Sequence, residues 1–577
     1  MNQTVTITVL AVYLAAMIAV GVVFRRLNRN VDDYFKSGSR GTWWLVGMSV
    51  FMASISAHTF TGNAGAAFEA GWSVTVIYLG SALALLVQAV LLARLYRRAR
   101  VITFPELIRE RFGPVTRQVY AWHAVLLFLL VGGVWLWGLS IFVASVFDLR
   151  PSTATIALGG VVLLYATAGG SWGVMATDFV QGVIVLGIAA ILTTLCLIEV
   201  GGPASLLRAI DQANLDEAFR PIKERGLFPR DFYSAPWTAA MVLALLIQET
   251  SMRTSVRYFA AKTERAASGA AGLAAVLLFV ATAVFFIPPI VARLRFAEAV
   301  EASGLSKPAE AAFAVASLEL LPPALLGVML AAMFSVTASS MDTALNRNAA
   351  MVVRDLLLPL MRRLGRPLPD DRRQMRIGQA VTAFFGVVVV FVALRYTRLA
   401  QVGMFEVYLT LGASLALPMA IPLLLGVIIR RTPPWSAFAA IAAGLVPGVW
   451  AMLDARLAGE PWPWHRLVFA VTASGLAVFV VTRLWWPTVP ANDRNRIDAL
   501  FQRLHERVDL DREGIETNDA QQLRILGRFT AAAGLLTTLL LLAADDARGS
   551  WAVAALACFL GGIGGLMMLL ARRRSRR

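Results

Sequence analysis

A chain of 577 residues that is 58% hydrophobic and only 15% charged, with mean hydropathy +0.67, is not an ordinary soluble protein, whose apolar share is about 45–50%. Its net charge of +17 would suit a nucleic-acid partner, but the basic residues sit in short clusters between apolar runs and at the C-terminus, as on cytoplasmic membrane flanks, so none is expected. Cys196 and Cys558 both lie in apolar segments, which supports neither a disulfide framework nor a thiolate metal site.

Runs of about 17–25 mostly apolar residues mark membrane spans near 4–24, 43–68, 72–96, 118–147, 152–169, 173–200, 237–257, 267–292, 313–345, 376–395, 401–429, 434–454, 465–486, 528–545 and 551–571. The chain is therefore an all-α, multi-pass protein of about fifteen helices, expected in a cell (inner) membrane. The first span has no basic residue before it and is followed by Arg25, Arg26 and Arg29, the reverse of a cleavable signal. It should be retained with its N-terminus outside. Alternate connections then carry Arg94, Arg97, Arg98 and Arg100; Arg257, Lys262 and Arg265; Arg347, Arg354, Arg362, Arg363, Arg372 and Arg373; Arg430 and Arg431; and the closing RRRSRR. That excess places these connections and the C-terminus in the cytoplasm.

The second span is the unusual one. Within GMSVFMASISAHTFTGNAG, Gly47 to Gly65, the residues Ser54, Ser56, His58, Thr59, Thr61 and Asn63 crowd the middle. Backbone groups at membrane depth must all be satisfied, so an interrupted helix survives only when buried in protein or lining a watery cavity. There, freed carbonyls can hold a cation and a half-helix N-terminus can face a polar solute. The alternative is a plain helix with small residues for close packing.

Next comes YATAGGSWGVMATDFVQG, in which Gly169 and Gly170 predict a tight turn and Asp178 and Gln181 lie a turn apart in the following helix. Asp178 could hold a cation or serve a gate; equally, it could be an acid satisfied by the helix dipole. The seventh span carries ALLIQETSMRTSVRYFAAK, where Glu249 and Arg253 are four apart and could pair on one helix face. Its density of polar groups also fits a second interrupted helix that mirrors the first, as in transporters built from inverted repeats. In the ninth span, Ser339, Asp342, Thr343 and Asn346 fall at i, i+3, i+4 and i+7 with Ser340 beside them. Hydroxyl and carboxyl oxygens on one face suit a hard alkali cation. Residues 487–527 are polar and charged and read as a cytoplasmic linker, too short for a nucleotide-binding domain and without a phosphate loop. A C-terminal hairpin follows.

Several of these stretches resemble the sodium:solute symporter family: ASISAHTFTGNAGAAFEAGW, the TFPELIRERFG of Thr103 to Gly113, YATAGGSWGVMATDFVQG, the RYFAAK of Arg257 to Lys262, and SSMDTALN from Ser339 to Asn346. They follow the family's order over residues 32 to 355. The resemblance implies a five-plus-five inverted-repeat core of the leucine-transporter type. It divides the chain into an extra N-terminal helix in 1–30, a first repeat in 43–200, an external loop in 201–236, a second repeat in 237–430, additional helices in 433–486, the linker in 487–527 and the hairpin with its basic tail in 528–577.

It further implies a sodium site from the carbonyls of Met52, Ile55 and Val336 and the hydroxyls of Ser339 and Ser340. A second sodium site would use Asp178, Asp342 and Thr343. Substrate positions map to Ser54, His58, Thr59, Tyr78, Ser81, Ile247, Gln248, Glu249 and Ser251. His58-Thr59 stands where sodium-sugar symporters have Glu-Gln, and Tyr78 where they place a sugar-binding Glu, so galactose-type recognition is not expected. Arg253 and His58 could face an anionic solute. The expected function is sodium-coupled symport of a small sugar, sugar acid or carboxylate, with a proton-coupled symporter and a transporter-derived membrane sensor as alternatives. No nucleophile-base pair, metal-ligand cluster or cofactor motif points to an enzyme.

Overall fold

The computed structural model describes residues 6–13, 15, 39–101, 103–166, 171–254, 256–398, 403–459, 461–511, 513, 519–543 and 546–574. Most of the predicted first span, the arginines after it and the Gly169–Gly170 turn lie outside the described residues. Among the described residues there is no β-strand, only the isolated bridges Gly41 with Ala261 and Lys223 with Ser234. Eleven helices among the described residues are long and apolar enough to cross a membrane, and Trp43–Ala53 and Pro151–Leu163 are shorter apolar helices.

Among the described residues two crossings are interrupted. Helix α1, Trp43–Ala53, ends at Ser54, and Ser56 is extended at φ −156°, ψ −179° before α2, Ala57–Phe60. A second kink at Thr61 leads into α3, Gly62–Ala70. The polar cluster supports this path locally. Ser54 Oγ donates to Val50 O at 3.1 Å, Ser56 N donates to Thr59 Oγ1 at 3.3 Å, and Thr59 N donates to Ser56 O at 2.9 Å, a reciprocal cap that restarts the helix. Gly62 is required by packing, because a Cβ there would lie 2.8 Å from His58 Nε2.

Helix α4, Val76–Val87, follows and runs on through a π-helical turn at Gln88–Leu92. Beyond it, α5, Phe104–Phe112, is capped by Thr103 and closed by Gly113 at φ +91°, a left-handed conformation that favours glycine. Fully buried Arg111 on α5 donates to the carbonyls of Gly426, at 2.8 Å, and Ile429, at 3.0 Å, so the TFPELIRERFG motif caps a distant helix end. Helices α6, Pro114–Phe147, α7, Pro151–Ala166, and α8, Ser171–Glu199, complete the first half.

The second interruption falls where α9, Ala235–Thr250, gives way at extended Ser251 (φ −70°, ψ 161°) to α10, Val256–Phe259. Its freed carbonyls are satisfied from α4 and the segment after it. Gln88 Nε2 donates to Glu249 O, Tyr96 OH donates to Thr250 O at 2.6 Å, and Thr254 Oγ1 donates to Ser251 O at 3.0 Å. Because the helix stops at Thr250, Glu249 and Arg253 do not share a helical face and no salt bridge joins them among the described residues, so the expected i,i+4 geometry is corrected, although their charges still act on one another.

Helix α11, Glu264–Arg295, packs along α1 and α4. The predicted span 313–345 divides at Leu321-Pro322 into α12, Ala312–Leu320, and α13, Pro323–Met351, since proline cannot continue the first helix but suits the start of the second. After α14, Asp371–Tyr396, and α15, Met404–Ile428, come α16, Ser436–Ala458, and α17, Trp464–Val481. The linker helix α18, Ala491–His505, leads to a tightly packed closing pair, α19, Asp519–Thr538, and α20, Ala547–Arg574. In that pair Gly534 and Gly564 meet the facing backbone within 3.0 Å of where a Cβ would stand. The linker is pinned to the body, with Glu513 pairing Arg97 at 2.8 Å and Arg100 at 2.7 Å.

Candidate functional site

Both interruptions border one cavity of about 670 Å³. Val50, Ala53 and Ser54 line it from the first break, Gln248, Glu249, Arg253 and Thr254 from the second, and Ser340, Ala344, Arg347, Met351 and Arg354 from α13 and its continuation. The last five recur at i, i+4, i+7, i+11 and i+14, so one face of that helix forms a wall. Arg347, expected in a connection, is two turns beyond Ser340 inside α13. The cavity reaches outward past Thr103, Glu106, Arg109 and Arg117, at the arginine-rich end of the protein.

The opposite end is closed in layers. Thr59 Oγ1 and Tyr78 OH share a 2.6 Å hydrogen bond, and Phe60 packs edge-on against Phe285 and Phe313 with ring centroids 4.8 and 5.0 Å apart. Above these, Glu310 Oε1 accepts from the first N–H of α15, Met404 N, at 2.6 Å. Burial pushes the Glu310 carboxyl up to about 7, against that hydrogen bond and nearby Lys307, which pull it down. Gly65 lets this cap approach, since a Cβ there would stand 3.0 Å from Glu310 N.

Of the residues implied to bind sodium, Met52 and Ile55 are buried at the first break. The Met52 carbonyl receives a long 3.4 Å bond from Ile55 N–H, which leaves lone pairs available there. Val336 and Ser339 are buried on α13, and Ser340 beside them faces the cavity. Ser339 Oγ donates to Asp178 Oδ1. Asp178, fully buried, also accepts from Ser49 Oγ at 2.5 Å and from Arg257 Nη1 at 3.0 Å. Its charge is thus met by a guanidinium reaching across from α10, a partner that the sequence did not suggest. Asp342 is buried on the same helix, and the side chain of Thr343 lies outside the described residues.

The substrate positions separate into two groups. Ser54, Gln248 and Glu249 line the cavity; Ser251 is buried at the second break, where its hydroxyl donates to Gln248 O at 2.8 Å. His58, Thr59, Tyr78, Ser81 and Ile247 are buried and do not line the cavity, and Thr59 and Tyr78 belong to the closing layers. His58 lies 4.5 Å, ring to ring, from Tyr408, and its Nε2 has no hydrogen-bond partner among the described residues. The sequence reading missed Tyr408, Gln88 and Trp135 as lining residues. Gln88 carried a usable signal, a lone amide inside the apolar run LALLVQAVLL.

A model of the sodium:solute symporter family matches residues 34–444. Among curated proteins, the sodium/myo-inositol cotransporter 2 of Sus scrofa is 26% identical over 84% of this chain and 77% of its own length. The sodium/glucose cotransporter 2 of Rattus norvegicus is 26% identical over 88% and 83%. Among solved structures, a Na+-coupled sialic acid symporter in a substrate-bound outward-open state superposes with a TM-score of 0.68, at 20% identity, over 84% of this chain and 98% of that one. A nucleobase-cation-symport-1 family transporter in a closed conformation gives 0.50 at 14% identity over 82% and 99%. The two structural likenesses show the fold alone.

Proposed function

The chain belongs to the sodium:solute symporter family, and from that membership we propose that it moves a small sugar, sugar acid or carboxylate across a cell membrane together with sodium by alternating access. The observation that carries the reading is the single cavity bordered by both helix interruptions and by Ser340. Sodium would be held by the carbonyls of Met52, Ile55 and Val336 and the hydroxyls of Ser339 and Ser340. Such a set ties the first interruption to α13, so that ion occupancy stabilises one relative position of the two halves, which are taken as inverted repeats.

With the arginine-rich end in the cytoplasm, the closed Thr59–Tyr78 and Phe60 layers face outside and the geometry is inward-facing. The solute would meet Ser54, Gln248 and Glu249 in the cavity, and His58, Thr59, Tyr78, Ser81, Ile247 and Ser251 when the layers part. In the inward-facing geometry Arg257 already neutralises Asp178, which favours one sodium per cycle over a second ion at Asp178, Asp342 and Thr343. One ion suffices. At about 100 mV a charge gains roughly 2.3 kcal/mol, a tenfold sodium gradient adds about 1.4 kcal/mol, and together they sustain an accumulation of several hundredfold.

Uptake of labelled sugars and sugar acids into proteoliposomes, with and without an inward sodium gradient, tests the proposal. Ser340→Ala should abolish sodium stimulation while the protein remains folded. Uptake that ignores sodium, or a Ser340→Ala protein with unchanged sodium dependence, would overturn it.

A further inference from the structure

The cavity wall carries far more positive than negative charge. Arg109, Arg117, Arg253, Arg257, Arg347 and Arg354 line it, against Glu106 and Glu249. Arg257 is committed to Asp178. Arg253 and Arg347 are different: neither makes a hydrogen bond or a salt bridge among the described residues, and the one opposite charge that acts on Arg253 is that of Glu249 in the same wall. Arginine within a span is costly and usually finds a carboxylate or a backbone carbonyl. Buried Arg111, in the same protein, does so, taking the carbonyls of Gly426 and Ile429.

The position of these two guanidiniums, neither of them hydrogen-bonded among the described residues, is specific. Arg253 lies three residues beyond the end of α9, in the interruption that supplies Gln248 and Glu249 to the same wall. Arg347 is seven residues beyond Ser340 on α13, about 10 Å along the helix axis. Low-dielectric walls lined by one sign of charge focus the field and gather ions of the opposite sign. A planar guanidinium offers paired donors that match the two oxygens of a carboxylate. A neutral polyol would leave Arg347 unmatched and Arg253 with only the charge of Glu249 near it.

We propose that the transported solute bears a carboxylate, that Arg253 is the residue that reads it, and that Arg347 stands next on its path toward the arginine-rich mouth. This rests on the symport reading for the cavity's role and deepens it by naming the charge of the cargo. Glu249 in the same wall favours a solute with one carboxylate over one with several, because a second would approach a like charge.

The test titrates purified full-length protein with matched pairs of acid and neutral solute: glucuronate and glucose, gluconate and sorbitol, lactate and propane-1,2-diol, and sialic acid and N-acetylmannosamine. Binding is read as thermal stabilisation, at fixed sodium and again with potassium in its place. At least one acid should bind tenfold or more tightly than its neutral partner. Arg253→Gln should weaken that acid by about ten- to hundredfold, Arg253→Lys should retain part of it, and the neutral partner should be unaffected.

The proposal is overturned if no acid outperforms its neutral partner, or if the preference survives both Arg253→Gln and Arg347→Gln. Stabilisation by sodium alone, present in the arginine variants and lost in Ser340→Ala, shows that the variants fold and reports on coupling independently. Sodium stabilisation without acid preference therefore sinks the anion and leaves symport standing. Acid preference without any sodium effect does the reverse.

Discussion

Removing either member of the Asp178–Arg257 pair strands the other, and the two losses should be unequal. Asp178 is 0% exposed, whereas the Arg257 side chain is 18% exposed and borders the cavity. Breaking a buried ion pair from one side costs about 3–5 kcal/mol, most of it the burden of an uncompensated charge. After Asp178→Ala, the guanidinium can turn into the cavity and hydrate, which places that variant near about 3 kcal/mol. After Arg257→Ala, the carboxylate, fully buried in the fold, loses its guanidinium and keeps the hydroxyls of Ser49 and Ser339, which places that one at about 5 kcal/mol. The double variant buries no stranded charge, so its cost should fall short of the sum by about 1–3 kcal/mol. Thermal unfolding of the four proteins in one detergent, followed by tryptophan fluorescence, reads both the order and the coupling. Additive losses, or Asp178→Ala less stable than Arg257→Ala, would refute the pair as described.

Gln88→Leu should destabilise the protein by about 1–2 kcal/mol, because the Glu249 carbonyl keeps Thr254 but loses the amide, and Tyr258 OH loses its acceptor; a melting point equal to wild type would show that the second interruption does not depend on it. Glu310, raised to about 7 in the fold from an ordinary 4.5, holds a proton that the unfolded chain releases. Its contribution is therefore fully present below about 4.5 and is lost as pH rises through about 7, a swing of roughly 3 kcal/mol. Glu310→Gln should match wild type in thermal stability near pH 5 and exceed it near pH 8, and identical pH profiles for the two proteins would contradict this.

What the sequence disclosed followed the range over which its signals act. The first interruption was legible because six polar side chains within ten residues of an apolar run cannot all be accommodated by a regular helix, and Ser56 and Thr59 do cap its restart. On α13 helical spacing, a local rule, picked out Ser339, Asp342, Thr343 and Asn346 as one face, but of that cluster's described side chains only Ser340, read as lying beside it, lines the cavity; the wall follows Ser340, Ala344 and Arg347 instead. The same rule failed for Glu249 and Arg253: i,i+4 pairing presupposes a continuous helix, and the extended backbone at Ser251 breaks it. The split of 313–345 had a local signal too, the consecutive prolines at 322 and 323, outweighed by hydropathy that runs through them.

The chemistry of the cavity was mostly illegible for a different reason. Asp178 and Arg257 are 79 residues apart, and Gln88 reaches Glu249 across 161. No periodicity says which span will face which. Arg347 and Arg354 read as the flank of an apolar run, and Arg109 and Arg117 carried no signal of their own; such a reading is compatible with a solvated surface. Only the packing of α13 against α6 and the break after α9 turns them toward a common space. A charge cluster that looks like topology in one dimension becomes, once the helices are assembled, the field that a solute would cross.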